Sequence, residues 1–185
     1  MSHDDYITQF VPEQYKHLVK EDILVCPIAL LYQGYTKHKS ELIEKIQNSS
    51  NDQINSMHDY SSNHPFTEQQ IIGMGNRAYG LMVSISKRYR DRFLQHIWPK
   101  FYVGFSITYD KSNNKKLKRH IDDSWITINL CLKNENVQGT IIKFGAKNHC
   151  INIPENYACI HFGDVPHETT PLVQGKRTNV VLWYT

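Results

Sequence analysis

The sequence predicts a mainly β domain that carries helices at its N-terminal end. Apolar residues follow a helical period before residue 100 and a period of two after it, and the later segments follow one another without intervening helices. Consecutive short strands of this kind favour a sandwich or jelly roll over a βαβ sheet. We therefore expect a single domain, 1–185, in which 1–100 is a helical support region and 101–185 is the β core.

The composition excludes several classes of protein. With 40% hydrophobic and 11% aromatic residues in 185, the chain is too apolar for disorder and long enough to bury a core. No apolar stretch approaches the roughly 18 residues of a membrane span, so we expect no membrane partner. Four cysteines without a CxxC pair indicate reduced thiols, and the absence of a secretory signal pattern predicts an intracellular protein, cytoplasmic or nuclear. A net charge of +3 gives no argument for nucleic acid.

The first predicted helix covers Thr36–Gln47. Its apolar side chains lie on one face, at Leu42, Ile43 and Ile46, as expected for a helix that packs against a core. The segment that follows, Asn48–Asn63, is rich in Ser and Asn and shows little periodicity. It is therefore predicted to be a loop.

The second predicted helix begins at Thr67, whose side chain can form a capping box with Gln70. A helical period of apolar residues continues beyond it, which predicts a helix to about Gln95 that Pro99 ends. Three glycines weaken this helix and predict a kink in their vicinity, and these are Gly73, Gly75 and Gly80.

Five segments after residue 100 have the alternation and the β-branched or aromatic content of strands. Gly, Pro, Asn or Lys residues lie between them, as is typical of the turns of a β protein. The predicted strands are Phe101–Tyr109, Trp125–Leu132, Thr140–Phe144, Tyr157–Phe162 and Arg177–Tyr184.

The candidate functional residues are His120, Asp122 and His167. His120 and Asp122 form a His-x-Asp triplet in a predicted turn between strands, and His167 follows a later strand. Two imidazoles and one carboxylate on a β scaffold form the facial triad that suits non-haem Fe(II) and leaves coordination positions open. Such a site can bind O2 and a chelating cosubstrate together.

The other histidines are interpreted as structural. A second triplet, His3-x-Asp5, lies in the N-terminal tail, where order is least expected, and is interpreted as a decoy. His161 is close to His167 in sequence but is placed at the end of a predicted strand.

Arg177 opens the last predicted strand. A guanidinium binds a carboxylate through two parallel hydrogen bonds, whereas a lysine offers a single point of charge. Side chains of a strand alternate between its faces, so two sets of residues are predicted to wall a pocket with the metal at its floor. The sets are Arg177, Asn179, Val181 and Trp183 on the last strand, and Thr127, Asn129 and Cys131 on the strand after the triplet.

Three segments resemble the Fe(II)- and 2-oxoglutarate-dependent dioxygenases, in particular the prolyl and lysyl hydroxylase group. LKRHIDDSWITINLCL, from Leu117, is similar to the family's His-x-Asp half and Thr-x-Asn strand. HFGDVPH, from His161, is similar to its second metal half, and GKR, ending at Arg177, to its 2-oxoglutarate arginine. The resemblance covers residues 101–185 and implies a double-stranded β-helix, a jelly-roll or cupin-like fold.

The resemblance also implies roles for these residues. His120, Asp122 and His167 would ligate Fe(II) and act in catalysis through the metal, and Arg177 would bind the distal carboxylate of 2-oxoglutarate. The resemblance also implies O2 as the second cosubstrate and is compatible with ascorbate as an additional cofactor. Four further residues are implied to lie in the cosubstrate pocket, and these are Tyr109, Thr127, Asn129 and Trp183. The family's Gly-Gly pair is replaced by Gly139-Thr140, which leaves the loop before that strand undefined.

The function implied by the resemblance is hydroxylation of a protein or peptide side chain, of prolyl or lysyl type, with conversion of 2-oxoglutarate and O2 to succinate and CO2. One alternative is a nucleic-acid demethylase of the AlkB type, but that group carries a second arginine where this chain has Trp183. The other is a non-enzymatic cupin-like metal-binding module. The oligomeric state stays open, as does any contact of the basic loop 115–119 with substrate.

Overall fold

The computed structural model describes residues 7–48, 64–93, 102–110, 112, 117–138 and 142–185. Its helical elements are a 3-10 helix at Glu13–Glu21, α1 (Ile28–Leu31), α2 (Tyr35–Asn48), α3 (Glu68–Ile85) and α4 (Lys87–Phe93). In the part of the chain so described, no helix has the length and apolar composition that crossing a membrane requires.

The strands form two antiparallel sheets. A five-stranded sheet has the order β1-β7-β4-β9-β2, and a four-stranded sheet has the order β3-β8-β5-β6. The strands are β1 (Leu24–Pro27), β2 (Tyr102–Asp110), β3 (Leu117–His120), β4 (Ile126–Gln138), β5 (Ile142–Phe144), β6 (His149–Ile151), β7 (Tyr157–Phe162), β8 (His167–Thr169) and β9 (Gln174–Tyr184). This arrangement confirms the predicted jelly roll.

The predicted helix start at Thr67 is confirmed, but its end is not. The Thr67 hydroxyl accepts a hydrogen bond from the Gln70 amide at 3.3 Å, and the Gln70 side chain accepts one from the Thr67 amide at 2.9 Å. The helix ends at Ile85, because the buried Ser86 takes an extended conformation (φ −121°, ψ 121°). The break therefore lies at Ser86 and not near the glycines; Gln95 and Pro99 lie outside the described residues.

Four strands were not predicted from the sequence, and β4 and β9 are longer than predicted. β1, β3, β6 and β8 have only three or four residues each, too few to display an alternating pattern. β3 lies where the sequence analysis placed a turn, and β1 lies within the region predicted to be helical. The loop predicted at Asn48–Asn63 and the Gly139-Thr140 pair lie almost entirely outside the described residues.

The main core lies between α3 and the outer face of the five-stranded sheet. Buried residues of the helix, such as Met74 and Met82, pack in the same cluster as Ile128 and Leu182 of the central strands. Alternate residues of β4 and β9 face the helices in this way, so the intervening residues face the space between the two sheets. That second face carries the candidate site.

We predict that Gly75→Ala destabilises the protein by about 1–3 kcal/mol, because a Cβ there would lie 2.3 Å from Cε1 of the buried Tyr184 ring. The hydroxyl of this tyrosine donates to the Ile71 carbonyl oxygen at 2.7 Å, which restricts its movement. Gly73→Ala and Gly80→Ala, on the same helix, meet no atom within 4 Å and should stabilise by about 0.5–1 kcal/mol. Urea unfolding of the three variants measures these changes; equal effects would contradict the close approach.

Candidate metal centre

The structure brings the three predicted ligand residues together at one end of the four-stranded sheet. His120 ends β3, His167 begins β8, and the two are direct partners in the strand register. The Oδ1 atom of Asp122 lies 3.5 Å from Nε2 of each histidine. One ligand atom from each residue falls within 4.8 Å of the other two, so a single metal ion could contact all three.

The path of the backbone between these residues is fixed by a close approach at Gly163. The Asp122 amide donates to the Gly163 carbonyl oxygen at 2.9 Å. A Cβ on Gly163 would lie 2.0 Å from the Ser124 carbonyl oxygen, so a larger residue would push the two loops apart. The loop that follows β7 therefore runs directly beside the His-x-Asp segment.

Both imidazoles are held by hydrogen bonds to nearby carbonyl oxygens. The Nδ1 atom of His120 lies 2.7 Å from the Lys118 carbonyl oxygen, and Nδ1 of His167 lies 2.9 Å from that of Val165. A carbonyl oxygen can only accept, so each Nδ1 carries the proton. In the neutral ring Nε2 then has a free lone pair, which is directed at the cluster as a metal ligand requires.

Thr127 fixes the orientation of the Asp122 carboxylate. Its hydroxyl donates to Oδ2 of Asp122 at 2.6 Å, and the Ser124 hydroxyl lies 2.8 Å from the Thr127 oxygen. These contacts occupy Oδ2 and leave Oδ1 facing the histidines. The position of Thr127 in the cosubstrate pocket stays a prediction; in the structure its hydroxyl donates to the Asp122 carboxylate.

The protonation of the cluster follows from its burial and its mutual charges. Burial acts to raise the pKa of Asp122, but the hydrogen bond that His120 donates when its ring is protonated, the neighbouring histidines and Thr127 outweigh it and hold that pKa below its usual value. The hydrogen bond to Asp122 raises the pKa of His120, whereas burial lowers that of His167. The carboxylate is thus ionised at neutral pH, ready for a cation.

His161 forms a buried wall beside this cluster. Its ring centroid lies 5.0 Å from that of His167 and 4.8 Å from that of Phe144, and its Nδ1 is 2.7 Å from the Phe162 carbonyl oxygen. Burial lowers the pKa of His161 to about 4. It is therefore neutral at physiological pH, in agreement with the structural role expected from the sequence.

Arg177 is 1% exposed and is oriented by two neutral amides. Its Nε donates to Oδ1 of Asn179 at 3.0 Å, and its Nη1 donates to Oδ1 of Asn152 at 3.2 Å. Asn179 in turn donates through Nδ2 to Oδ1 of Asn129 at 2.7 Å. A neutral amide fixes the direction of a guanidinium without cancelling its charge.

The remaining predicted residues lie on the same side of the five-stranded sheet. The register pairs Tyr109 with Arg177, Asn129 with Val181, and Thr127 with Trp183, whereas Cys131 of the predicted set belongs to the main core cluster. Burial raises the pKa of Tyr109, against the opposing effects of Arg177 and Thr169. Trp183 packs edge-on against Phe105, with ring centroids 5.5 Å apart.

Asn152 was missed by the sequence analysis, because it follows β6, a strand too short to be recognised. A signal was present in Ile151-Asn152-Ile153, where both isoleucines are fully buried and the polar residue between them must face the other way. The decoy pair His3 and Asp5 lies outside the described residues.

Within the basic loop 115–119, Arg119 makes hydrogen bonds to the neighbouring segment 145–148. It is exposed, and its guanidinium donates to Oδ1 of Asn148 at 3.1 Å and to the Gly145 carbonyl oxygen at 2.6 Å. Lys118 is also exposed. These contacts favour a structural role for Arg119 on the four-stranded sheet.

A double-stranded β-helix with two histidines and one carboxylate at its open end is the architecture of the non-haem iron oxygenases, and comparison with known proteins agrees. No protein-family model matches the sequence. A segment covering 43% of the chain is 31% identical, over 93 residues, to the 2-oxoglutarate and iron-dependent oxygenase domain-containing protein CP2 of Arabidopsis thaliana. The match spans 24% of that protein's length.

Solved structures reproduce the fold over nearly the whole chain. A Pseudomonas putida prolyl-4-hydroxylase has a TM-score of 0.52 at 15% identity, covering 94% of each chain. A 2OG-Fe(II) oxygenase family oxidoreductase from Burkholderia pseudomallei has a TM-score of 0.58 at 10% identity, covering 94% of this chain and 88% of the other. A Trichoplax adhaerens prolyl hydroxylase has a TM-score of 0.55 at 14% identity, with 98% and 90% covered. The chain has the fold of the 2-oxoglutarate and Fe(II) oxygenases, and its resemblance to them is confirmed.

We predict that Asp122→Ala abolishes binding of a divalent metal ion, which requires the carboxylate between the two imidazoles. Thr127→Val, which removes the hydroxyl that donates to Oδ2 and contacts Ser124, should weaken metal affinity by about 10–100-fold. The neighbouring Asp123 is exposed and provides the matched control, since Asp123→Ala should bind metal like the parent. The measurement is an anaerobic Fe(II) titration of the parent and the three variants. An affinity in Asp122→Ala equal to that of the parent would show that this cluster is not the metal centre.

We also predict that the metal-free protein loses stability as the pH falls from about 6.5 to 4. His161 has a pKa of about 4 in the folded protein, whereas in the unfolded chain it takes up a proton near pH 6.5. The unfolded state thus binds more protons in this range, and stability falls by up to about 1.4 kcal/mol per pH unit from this group. Urea unfolding in EDTA should show a shallower slope for His161→Gln; an equal slope would contradict the assignment.

Proposed function

We propose that this chain is an Fe(II)- and 2-oxoglutarate-dependent oxygenase that hydroxylates a protein side chain, of prolyl or lysyl type. The observation that carries the proposal is the His120–Asp122–His167 cluster, on a fold whose inner face also holds the buried, amide-oriented Arg177. A metal-ligand cluster alone would suit many proteins. The buried positive charge of Arg177 also supports a cosubstrate that carries a carboxylate and binds beside the metal.

Fe(II) would be held by Nε2 of the two histidines and by Oδ1 of Asp122. This set of two neutral nitrogens and one anionic oxygen suits ferrous iron and leaves positions open. When bound with 2-oxoglutarate, the metal supplies the oxidative chemistry, in which O2 places one oxygen atom in succinate and the other in the hydroxylated substrate, with release of CO2. The carbonyl oxygens of Lys118 and Val165 keep each Nε2 unprotonated for this purpose.

Arg177 would bind the distal carboxylate of 2-oxoglutarate. Its guanidinium lies almost entirely away from solvent, where a charged pair is stronger than in water. Tyr109, its direct partner on β2, could donate its hydroxyl hydrogen to the same carboxylate. The chain's contribution here is orientation of the cosubstrate towards the metal.

The inner face also carries an apolar wall that would exclude water. Ile107, Tyr109, Val181 and Trp183 form a buried cluster separate from the main core, joined by Leu172. Exclusion of water strengthens the electrostatic contacts within a site and limits side reactions.

A protein substrate is supported by the kind of neighbour that shares the fold. The Trichoplax adhaerens prolyl hydroxylase was solved with a peptide fragment of the hypoxia inducible factor oxygen degradation domain. Demethylation of nucleic acid of the AlkB type is disfavoured, because the position of its second arginine is the buried Trp183, packed on Phe105. Release of succinate, screened against peptide and nucleic-acid pools, tests the substrate class directly.

We predict that Arg177→Gln retains iron binding but lowers the affinity for 2-oxoglutarate by at least about 10²-fold. A loss of this size is expected when one partner of a buried charge pair is removed. Arg177→Lys should recover only part of the affinity, because one ammonium cannot form the paired hydrogen bonds of a guanidinium. The measurement is a titration of the Fe(II)–2-oxoglutarate charge-transfer absorption under anaerobic conditions. A parent protein that binds iron without this absorption would favour the non-enzymatic metal-binding module.

A further inference from the structure

Arg177 is connected to the N-terminal 3-10 helix through one residue, Asn152. The Asn152 side chain accepts the hydrogen bond from Nη1 of Arg177 at 3.2 Å. The backbone of the same residue is bound by Tyr15 of the 3-10 helix, whose hydroxyl donates to the Asn152 carbonyl oxygen at 2.8 Å and accepts from its amide at 3.3 Å. A tyrosine 137 positions away in sequence thus fixes the residue that orients the guanidinium.

Further contacts hold the Asn152 backbone in place. Ile151 and Ile153 are fully buried on either side of it, so the peptide cannot rotate without exposing apolar surface. Tyr15 is itself buried, at 8% exposure, and packs in the main core. Tyr15 therefore holds the backbone of Asn152, an exposed residue, from a buried position in the core.

The amide chemistry of Asn152 is suited to this place. It accepts from Arg177 but leaves the positive charge intact, as does Asn179 on Nε. An aspartate has nearly the same shape and would accept the same hydrogen bond, but it would pair with the guanidinium as a competing carboxylate. A position that serves packing alone would tolerate aspartate, whereas one that serves an incoming anion would not.

We propose that Asn152, held by Tyr15, is a positioning residue that sets the affinity of Arg177 for the carboxylate of the cosubstrate. The inference rests on the proposed function, and it assigns a role to the N-terminal segment that the metal cluster does not explain. Asn152 holds Nη1 of the guanidinium, and Asn179 holds Nε, so the two amides together fix its orientation on the inner face. Tyr15 acts through Asn152 and has no part in metal binding.

The test compares Asn152→Ala, Asn152→Asp and Tyr15→Phe with the parent, each loaded anaerobically with Fe(II). We expect Asn152→Ala to lower the affinity for 2-oxoglutarate by about tenfold, which is the order of the contribution of a single hydrogen bond. Asn152→Asp should weaken it further, although its melting temperature stays at or above that of Asn152→Ala. Tyr15→Phe should weaken 2-oxoglutarate by a few-fold, and Fe(II) affinity should be unchanged in all three.

Tyr35→Phe is the matched control. It also removes a buried tyrosine hydroxyl, one that donates to Oδ1 of Asn156 at 3.1 Å on the same segment, but it does not contact Asn152. Its 2-oxoglutarate affinity should equal that of the parent at a comparable loss of stability. An equal loss of affinity in Tyr35→Phe and Tyr15→Phe would show a general stability effect and overturn the proposal.

The remaining outcomes separate the two proposals. If the parent binds 2-oxoglutarate but Asn152→Asp binds it as tightly as the parent, the positioning role is wrong while the proposed function stands. If the parent binds iron and no 2-oxoglutarate, the proposed function fails, and the positioning role fails with it. If Asn152→Asp lowers the affinity for 2-oxoglutarate more than Asn152→Ala does, and Fe(II) affinity is retained, both the proposed function and the positioning role are supported.

Discussion

The pairing of β4 with β9 is the constraint on which the rest of the structure depends. These strands lie side by side within the five-stranded sheet, and each presents apolar residues to the helices and mixed polar residues to the second sheet. Because side chains alternate strictly, one register places Ile128 and Leu182 in the core and Thr127 and Trp183 beside the site. A slip by one residue would exchange the two faces and remove both core and site.

Much of this arrangement could be predicted from the sequence because it depends on local patterns. The alternation along the two long strands is extensive, and the ligand types His120, Asp122 and His167 are of the kind that suits a metal. Arg177 could be predicted to share a face with Trp183 from the period of two alone. The capping box at Thr67 likewise depends on residues three apart.

The parts that could not be predicted depend on contacts distant in sequence. β6 and β8 are too short to be recognised as strands, and the partner of Asn152, Arg177, lies 25 residues away in sequence. Alternation gives the face of the strand on which Thr127 lies but not the direction of its hydroxyl, which is fixed by Asp122 and Ser124. The helix break at Ser86 follows from the tertiary position of a buried serine, since residues 81–91 contain no Pro or Gly.

The hydrogen-bonded imidazoles and the oriented guanidinium share one physical principle. In each case a neutral backbone or amide oxygen fixes the direction of a functional nitrogen without changing the charge available to a ligand. Preorganisation of this kind lowers the entropy that ligand binding must remove. It also explains why Asn179 and Thr127 are tolerated on an otherwise buried face, because each has a hydrogen-bond partner in the folded chain.

The pairing of His120 with His167 has a consequence for folding. The metal-ligand residues come from two segments that meet only when β3 and β8 are aligned, so the complete ligand set does not exist in the unfolded chain. An ion bound there acts as a reversible cross-link between distant parts of the sequence. It stabilises the native state by mass action. The resistance of the chain to heat and to proteases would therefore depend on whether this site is loaded.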